Sequence, residues 1–144
     1  MILRGEITEL KPLTYFERME IAGIGSLVKG GFQNPADDFL RDAINISEIL
    51  IENLDSTYYA YAWSDSMEPL ICEGAMLLVD VSAEVRNGGY AVFELDGELC
   101  MKRYWKENGV VTLHSENQKY PIITVQEWQH FRPVGKITKI IQSL

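Results

Sequence analysis

From Thr57 to the end, the chain is a succession of short β-prone runs broken by turn residues, and no other feature limits its fold as strongly. The runs TYYAYAW, AMLLVDV, GYAVFEL, ELCMKRYW, GVVTLHS and VGKITKII are separated by Gly, Asn and Asp, the spacing of an all-β domain. One pair of runs has its register fixed by its turn. Asp96-Gly97 between two such runs is the signature of a two-residue type I′ hairpin. It predicts Leu95 opposite Glu98, Phe93 opposite Cys100 and Ala91 opposite Lys102, all on one side of the ribbon with Tyr104, because side chains alternate. The last run, PVGKITKIIQSL, is expected near a sheet edge, where Val134, Ile137 and Ile140 could be covered by a symmetric partner in a homodimer.

The pattern changes near residue 52. Up to Lys29, Pro12, Gly23 and Gly25 break any long helical pattern, and Gly30 and Gly31 follow at once, so an irregular or briefly extended N-terminal arm is expected. Asn34 then offers an N-cap, Pro35 the first helical position, and Asp37 and Asp38 first-turn charges, which predicts a short helix over 35–42. With 144 residues, 47% of them hydrophobic, the chain can bury one sizeable core.

Charge and cysteine usage narrow the function. Thirteen Lys and Arg against 21 Asp and Glu give a net charge of −8, whereas broad binding to a phosphate backbone needs clustered cations, so little direct DNA binding is expected. Cys72 and Cys100 form no CxxC and there are only two histidines. That pattern offers no metal framework, calls for no cofactor, and suits a reducing, cytoplasmic compartment. The opening MILRGEITELKP carries charges where a signal peptide needs an apolar stretch, and no run of roughly 18 apolar residues exists to span a membrane.

The stretch YAWSDSMEPL places Ser66 between an aromatic run and Met67. Ser66 is either a turn residue or a nucleophile, and a nucleophile needs a base. Lys102 is a candidate, since a lysine held among Ala91, Phe93, Cys100 and Tyr104 loses the hydration that favours its charged form. The alternative is that Lys102 lays its stem on the apolar face and keeps its ammonium in water. His114 and His130 stand in polar, turn-like contexts and are read as solvated or structural. There is no GxSxG elbow, and Pro69 stands where an SxxK motif needs its lysine.

SDSMEP, then ICEGAMLLVD, VRNGGYAVFELDGELCMKR and SENQKYPIITV, resemble the self-cleaving domain shared by LexA and the phage repressors. The resemblance implies a mainly β fold of twisted antiparallel strands with a short helical segment and an extended N-terminal arm. It also implies a Ser-Lys dyad, which falls on Ser66 and Lys102, with backbone N–H groups at Ser66 and Met67 forming the oxyanion hole. Ser64 stands where the family usually has glycine, so a turn needing positive φ would be strained there. Residues 1–30 carry no net charge, their four Lys and Arg balanced by four Glu, and are too few for a helix-turn-helix domain.

Leu27–Leu40, LVKGGFQNPADDFL, and ISEILIENLDSTYYAYAWSDSM are similar to the UmuD-type branch of SOS mutagenesis proteins. This likeness implies self-cleavage at Gly30–Gly31, with Gly30 where the branch usually has alanine or cysteine. Residues 1–30 would be the removable arm and residues 31–144 the peptidase domain. It further implies cleavage promoted by a RecA filament on single-stranded DNA, and a cleaved homodimer serving a UmuC-like translesion polymerase. Three other readings share these features: a type I signal peptidase, a repressor or anti-repressor without its own DNA-binding domain, and a β-module that keeps the motif but not the activity.

Overall fold

The structure, a computed structural model, describes residues 5–13 and 51–144. These fall into two compact units, residues 5–11 with 58–144 and residues 12–13 with 51–57. The smaller unit holds a 3-10 turn at Leu54–Ser56. The helix expected over 35–42 and the Gly30–Gly31 bond lie outside the described residues.

Among the described residues eight strands make up the sheet: β1 (Lys11–Pro12), β2 (Thr57–Tyr61), β3 (Met76–Asp80), β4 (Tyr90–Leu95), β5 (Glu98–Glu107), β6 (Val110–His114), β7 (Ile123–Thr124) and β8 (Phe131–Ile141). Their order is β1-β2-β3-β8-β4-β5-β6-β7, and the pairs β3–β8, β4–β5, β4–β8, β5–β6 and β6–β7 are antiparallel. The mainly β architecture expected from the sequence is therefore present.

The β4–β5 hairpin has the expected register, Leu95 opposite Glu98, Phe93 opposite Cys100 and Ala91 opposite Lys102. Both turn residues take positive φ, Asp96 at 51° and Gly97 at 85°, as a type I′ turn requires. Asn108 and Gly109 repeat the device between β5 and β6, with φ of 51° and 77°.

Alternation along this hairpin feeds two cores. Ala91, Phe93 and Cys100 join Leu113 on one side, while Val92 and Met101 join Leu77, Val79, Met67 and Ile71 on the other. With both faces covered, the runs are almost continuously apolar. Phe93 stacks between Tyr104 and Phe131, with centroids 5.7 and 5.4 Å away.

The placement of the C-terminal run is corrected. β8 is no edge: its first half pairs with β4 and its second half with β3, the two meeting at Lys136. Ile137 is buried, and Val134 and Ile140 pack on the core. Gly135 permits this crossing, since a Cβ there would stand 2.7 Å from Val79 Cγ1 and 2.9 Å from the Asp80 carbonyl.

Candidate active site

Two bends hold the site together, one carrying Ser66 and one at residues 115–117. After β2 the chain turns through Asp65–Ile71, where Glu68 N–H donates to Asp65 O at 3.1 Å and Ile71 N–H to Met67 O at 2.8 Å. Fully buried Met67 anchors this bend from below, its Sδ accepting from Glu116 N–H at 3.4 Å. The second bend grips the first through Asn117, whose backbone N–H donates to Ser66 O at 2.9 Å and whose Nδ2 donates to Asp65 O at 3.1 Å.

Asp65 adds a charged brace, pairing with Lys119 Nζ at 2.7 Å and accepting from the Tyr120 hydroxyl. The hydrogen bonds from Lys119 and then Tyr120 hold its carboxyl below the usual aspartate range. Ser64 needs no strained backbone, for its φ is not positive. Its Oγ accepts from Ser66 N–H at 3.1 Å, a local serine turn. That N–H, expected from the sequence as an oxyanion donor, is engaged by Ser64 in this state.

Lys102, on β5, is 3% exposed. Its ammonium is not in water: Nζ donates to Glu6 Oε2 and to Ser115 Oγ, each at 2.8 Å, and lies 5.6 Å from the centre of the Tyr120 ring. The second Glu6 oxygen accepts from Met101 N–H at 3.1 Å. These groups line an open cleft of about 520 Å³ with Gly5, Ser64, Leu99 and Cys100.

Ser66 is 0% exposed, and among the described residues its Oγ is the one buried side-chain oxygen or nitrogen without a hydrogen-bond partner. An orphaned buried hydroxyl costs about 1–3 kcal/mol, which marks a position kept for something other than stability. Residues 115–117 bring the two candidates to one place, since Ser115 holds Lys102 and Asn117 holds Ser66. In this state Lys102 donates elsewhere, and the two side chains do not bond each other.

Other groups are held apart from this chemistry. His114 shares a hydrogen bond with Thr112 at 3.0 Å and meets Trp105 edge-on; His130 is exposed and its backbone ties the Asp96 turn. Burial pushes the Cys100 thiol up to about 12, helped by the charge of Glu6, so it stays a thiol. Among the described residues no cluster of three or more His, Cys, Asp or Glu side chains could hold a metal ion.

Sequence reading missed Glu6, Ser115 and the Asp65–Lys119–Tyr120 brace. Glu6 lies 96 residues from its partner, so no local pattern could disclose it. Asp65 was in view beside Ser66, but its partners lie in a loop with no periodicity.

A family profile described as Peptidase S24-like matches residues 22–138. A LexA repressor from Geotalea uraniireducens (strain Rf4) is 26% identical over 122 residues, covering 84% of this chain and 61% of that protein. One from Paracidovorax citrulli (strain AAC00-1) is 37% identical over 73 residues, 51% of this chain and 33% of that protein. A third, from Thermotoga petrophila (strain ATCC BAA-488 / DSM 13995 / JCM 10881 / RKU-1), is 25% identical over 128 residues, 88% of this chain and 64% of that protein. The chain thus spans less than two thirds of the length of each of these relatives.

Proposed function

The chain belongs to the peptidase S24-like family, and on that premise we propose that it is a self-cleaving serine peptidase of the UmuD type, with Ser66 as nucleophile and Lys102 as base. The observation that carries this reading is the buried, unpartnered Ser66 Oγ, tied through residues 115–117 to a lysine withdrawn from water. A hydroxyl attacks a carbonyl only as its proton leaves, and a neutral lysine amine can take that proton. Ser66 Oγ adds to the Gly30 carbonyl, and backbone N–H groups at Ser66 and Met67 hold the oxyanion. The Gly31 amine departs with the proton that Lys102 carried, and water then releases the acyl group from Ser66. Because the scissile bond belongs to the same chain or to a dimer partner, high effective concentration replaces affinity for a free substrate.

The resemblance to the UmuD branch supports the wider role. Cleavage, promoted by a RecA filament, removes residues 1–30, and residues 31–144 serve as a cytoplasmic homodimer that assists a UmuC-like translesion polymerase. Lys102→Arg provides the test, since guanidinium keeps the positive charge but cannot act as a base. A folded, inactive Lys102→Arg chain is expected; an active one removes Lys102 from the mechanism. The name of the relatives favours a second reading, a repressor-type transcriptional regulator. Mobility-shift binding to DNA at moderate salt would support it, and the net charge of −8 weighs against it.

A further inference from the structure

Gly5 and Glu6 form part of the wall of the cleft that Lys102 lines, and Gly5–Thr8 are seated there by backbone hydrogen bonds. Glu6 N–H donates to Leu99 O at 2.7 Å, Trp63 N–H to Glu6 O at 2.7 Å and Thr8 N–H to Tyr61 O at 3.0 Å. The Tyr61 N–H in turn donates to Thr8 Oγ1 at 2.9 Å. Ile7, buried, forms an antiparallel bridge with Ala62. The segment therefore joins β5 to the chain at the end of β2 through backbone hydrogen bonds and one isolated bridge, resembling the way sheet edges bind peptides by backbone pairing.

Its fit is specific at two positions. A Cβ at Gly5 would stand 2.5 Å from the Leu99 carbonyl oxygen, so the groove admits only glycine there without a backbone shift. At the next position the Glu6 carboxylate takes a hydrogen bond from Lys102 Nζ. With Nζ donating to Glu6 and to Ser115, no hydrogen bond joins it to Ser66, whose hydroxyl is left without a partner.

We infer that the backbone of Leu99 and Tyr61–Trp63, at the wall of this cleft, is a peptide-binding groove whose resident occupant, Gly5–Thr8, competes with the scissile segment and keeps Lys102 Nζ engaged on Glu6 until it withdraws. This inference rests on the Ser66–Lys102 reading. The groove takes a peptide with glycine against Leu99, a requirement that the sequence Gly30-Gly31 also meets. A scissile segment bonded to the same backbone groups would exclude Gly5–Thr8. With Glu6 gone, Nζ loses its charged acceptor and is free to turn toward Ser66.

Two variants of the full chain test this from different sides. Glu6→Gln keeps the shape and removes the charge, whereas Gly5→Val keeps Glu6 and drives the backbone off Leu99. Self-cleavage at neutral pH is expected to rise at least fivefold in both. In a Ser66→Ala background, the amides of Glu6, Thr8 and Trp63 are expected to be protected from hydrogen exchange, and Gly5→Val to expose them. Rates equal to wild type in both variants, or unprotected amides in the parent, would overturn the inference. If protection is present and lost as expected but no chain cleaves, the groove and its occupant stand and the peptidase reading fails.

Discussion

Replacing Ser66 should make this protein more stable. Ser66 Oγ is fully buried and unpartnered, and a buried hydroxyl in that condition costs about 1–3 kcal/mol relative to one that is satisfied or absent. Ser66→Ala removes it and leaves a void of about one oxygen atom, roughly 20 Å³, which at about 24 cal/mol per Å³ costs about 0.5 kcal/mol. The balance is a gain of about 0.5–2.5 kcal/mol. With a urea m-value near 1.5 kcal/mol/M for a domain of this size, the unfolding midpoint rises by about 1 M. Ser115→Ala provides the opposite sign, because Ser115 Oγ accepts from Lys102, and losing that charge-assisted bond costs about 1.5 kcal/mol. Both variants are compared with intact wild type, verified by mass before and after each unfolding series. A Ser66→Ala chain no more stable than wild type would mean that the hydroxyl is satisfied in solution, and the case for a strained, reserved nucleophile would collapse.

Three further outcomes are expected. An alkylating reagent at pH 8 should label Cys72, which is exposed, and spare Cys100, whose thiol is buried and pushed up to about 12; peptide mass mapping reads the difference. Gly135→Ala should lower stability by about 1–3 kcal/mol in a denaturant series, because its Cβ would press on Val79 and the Asp80 backbone. Asp65 has its carboxyl held below the unfolded value by Lys119 and Tyr120, so its contribution is present above the unfolded value and lost as pH falls through the folded one. Acid titration followed by tryptophan fluorescence near Trp63 should therefore show a step below pH 4 that Asp65→Asn removes.

How far the fold could be read in advance depended on the range of each signal. Asp96-Gly97 is local chemistry with one good backbone solution, so the β4–β5 register and the side on which Lys102 emerges were legible. Ser66 and Lys102 were marked by motif and by alternation, and the structure brings both to residues 115–117. β8 was misplaced because a run with exposed lysines between apolar residues looks like an edge strand. Bulges between Leu78 and Val79 and between Val92 and Phe93 let it serve two neighbours instead. β7, two residues long, is too short for any periodicity to show. Glu6 could not be foreseen because its role depends entirely on tertiary contact.

Product masses after incubating the intact chain at alkaline pH, with and without RecA, single-stranded DNA and a nucleoside triphosphate, test the dyad most directly. Alkaline conditions favour the amine form of any lysine, so fragments 1–30 and 31–144 are expected from wild type even without RecA, and only intact chain from Ser66→Ala and Lys102→Ala. The same two fragments from Ser66→Ala at the wild-type rate would contradict the assignment of Ser66 as the nucleophile.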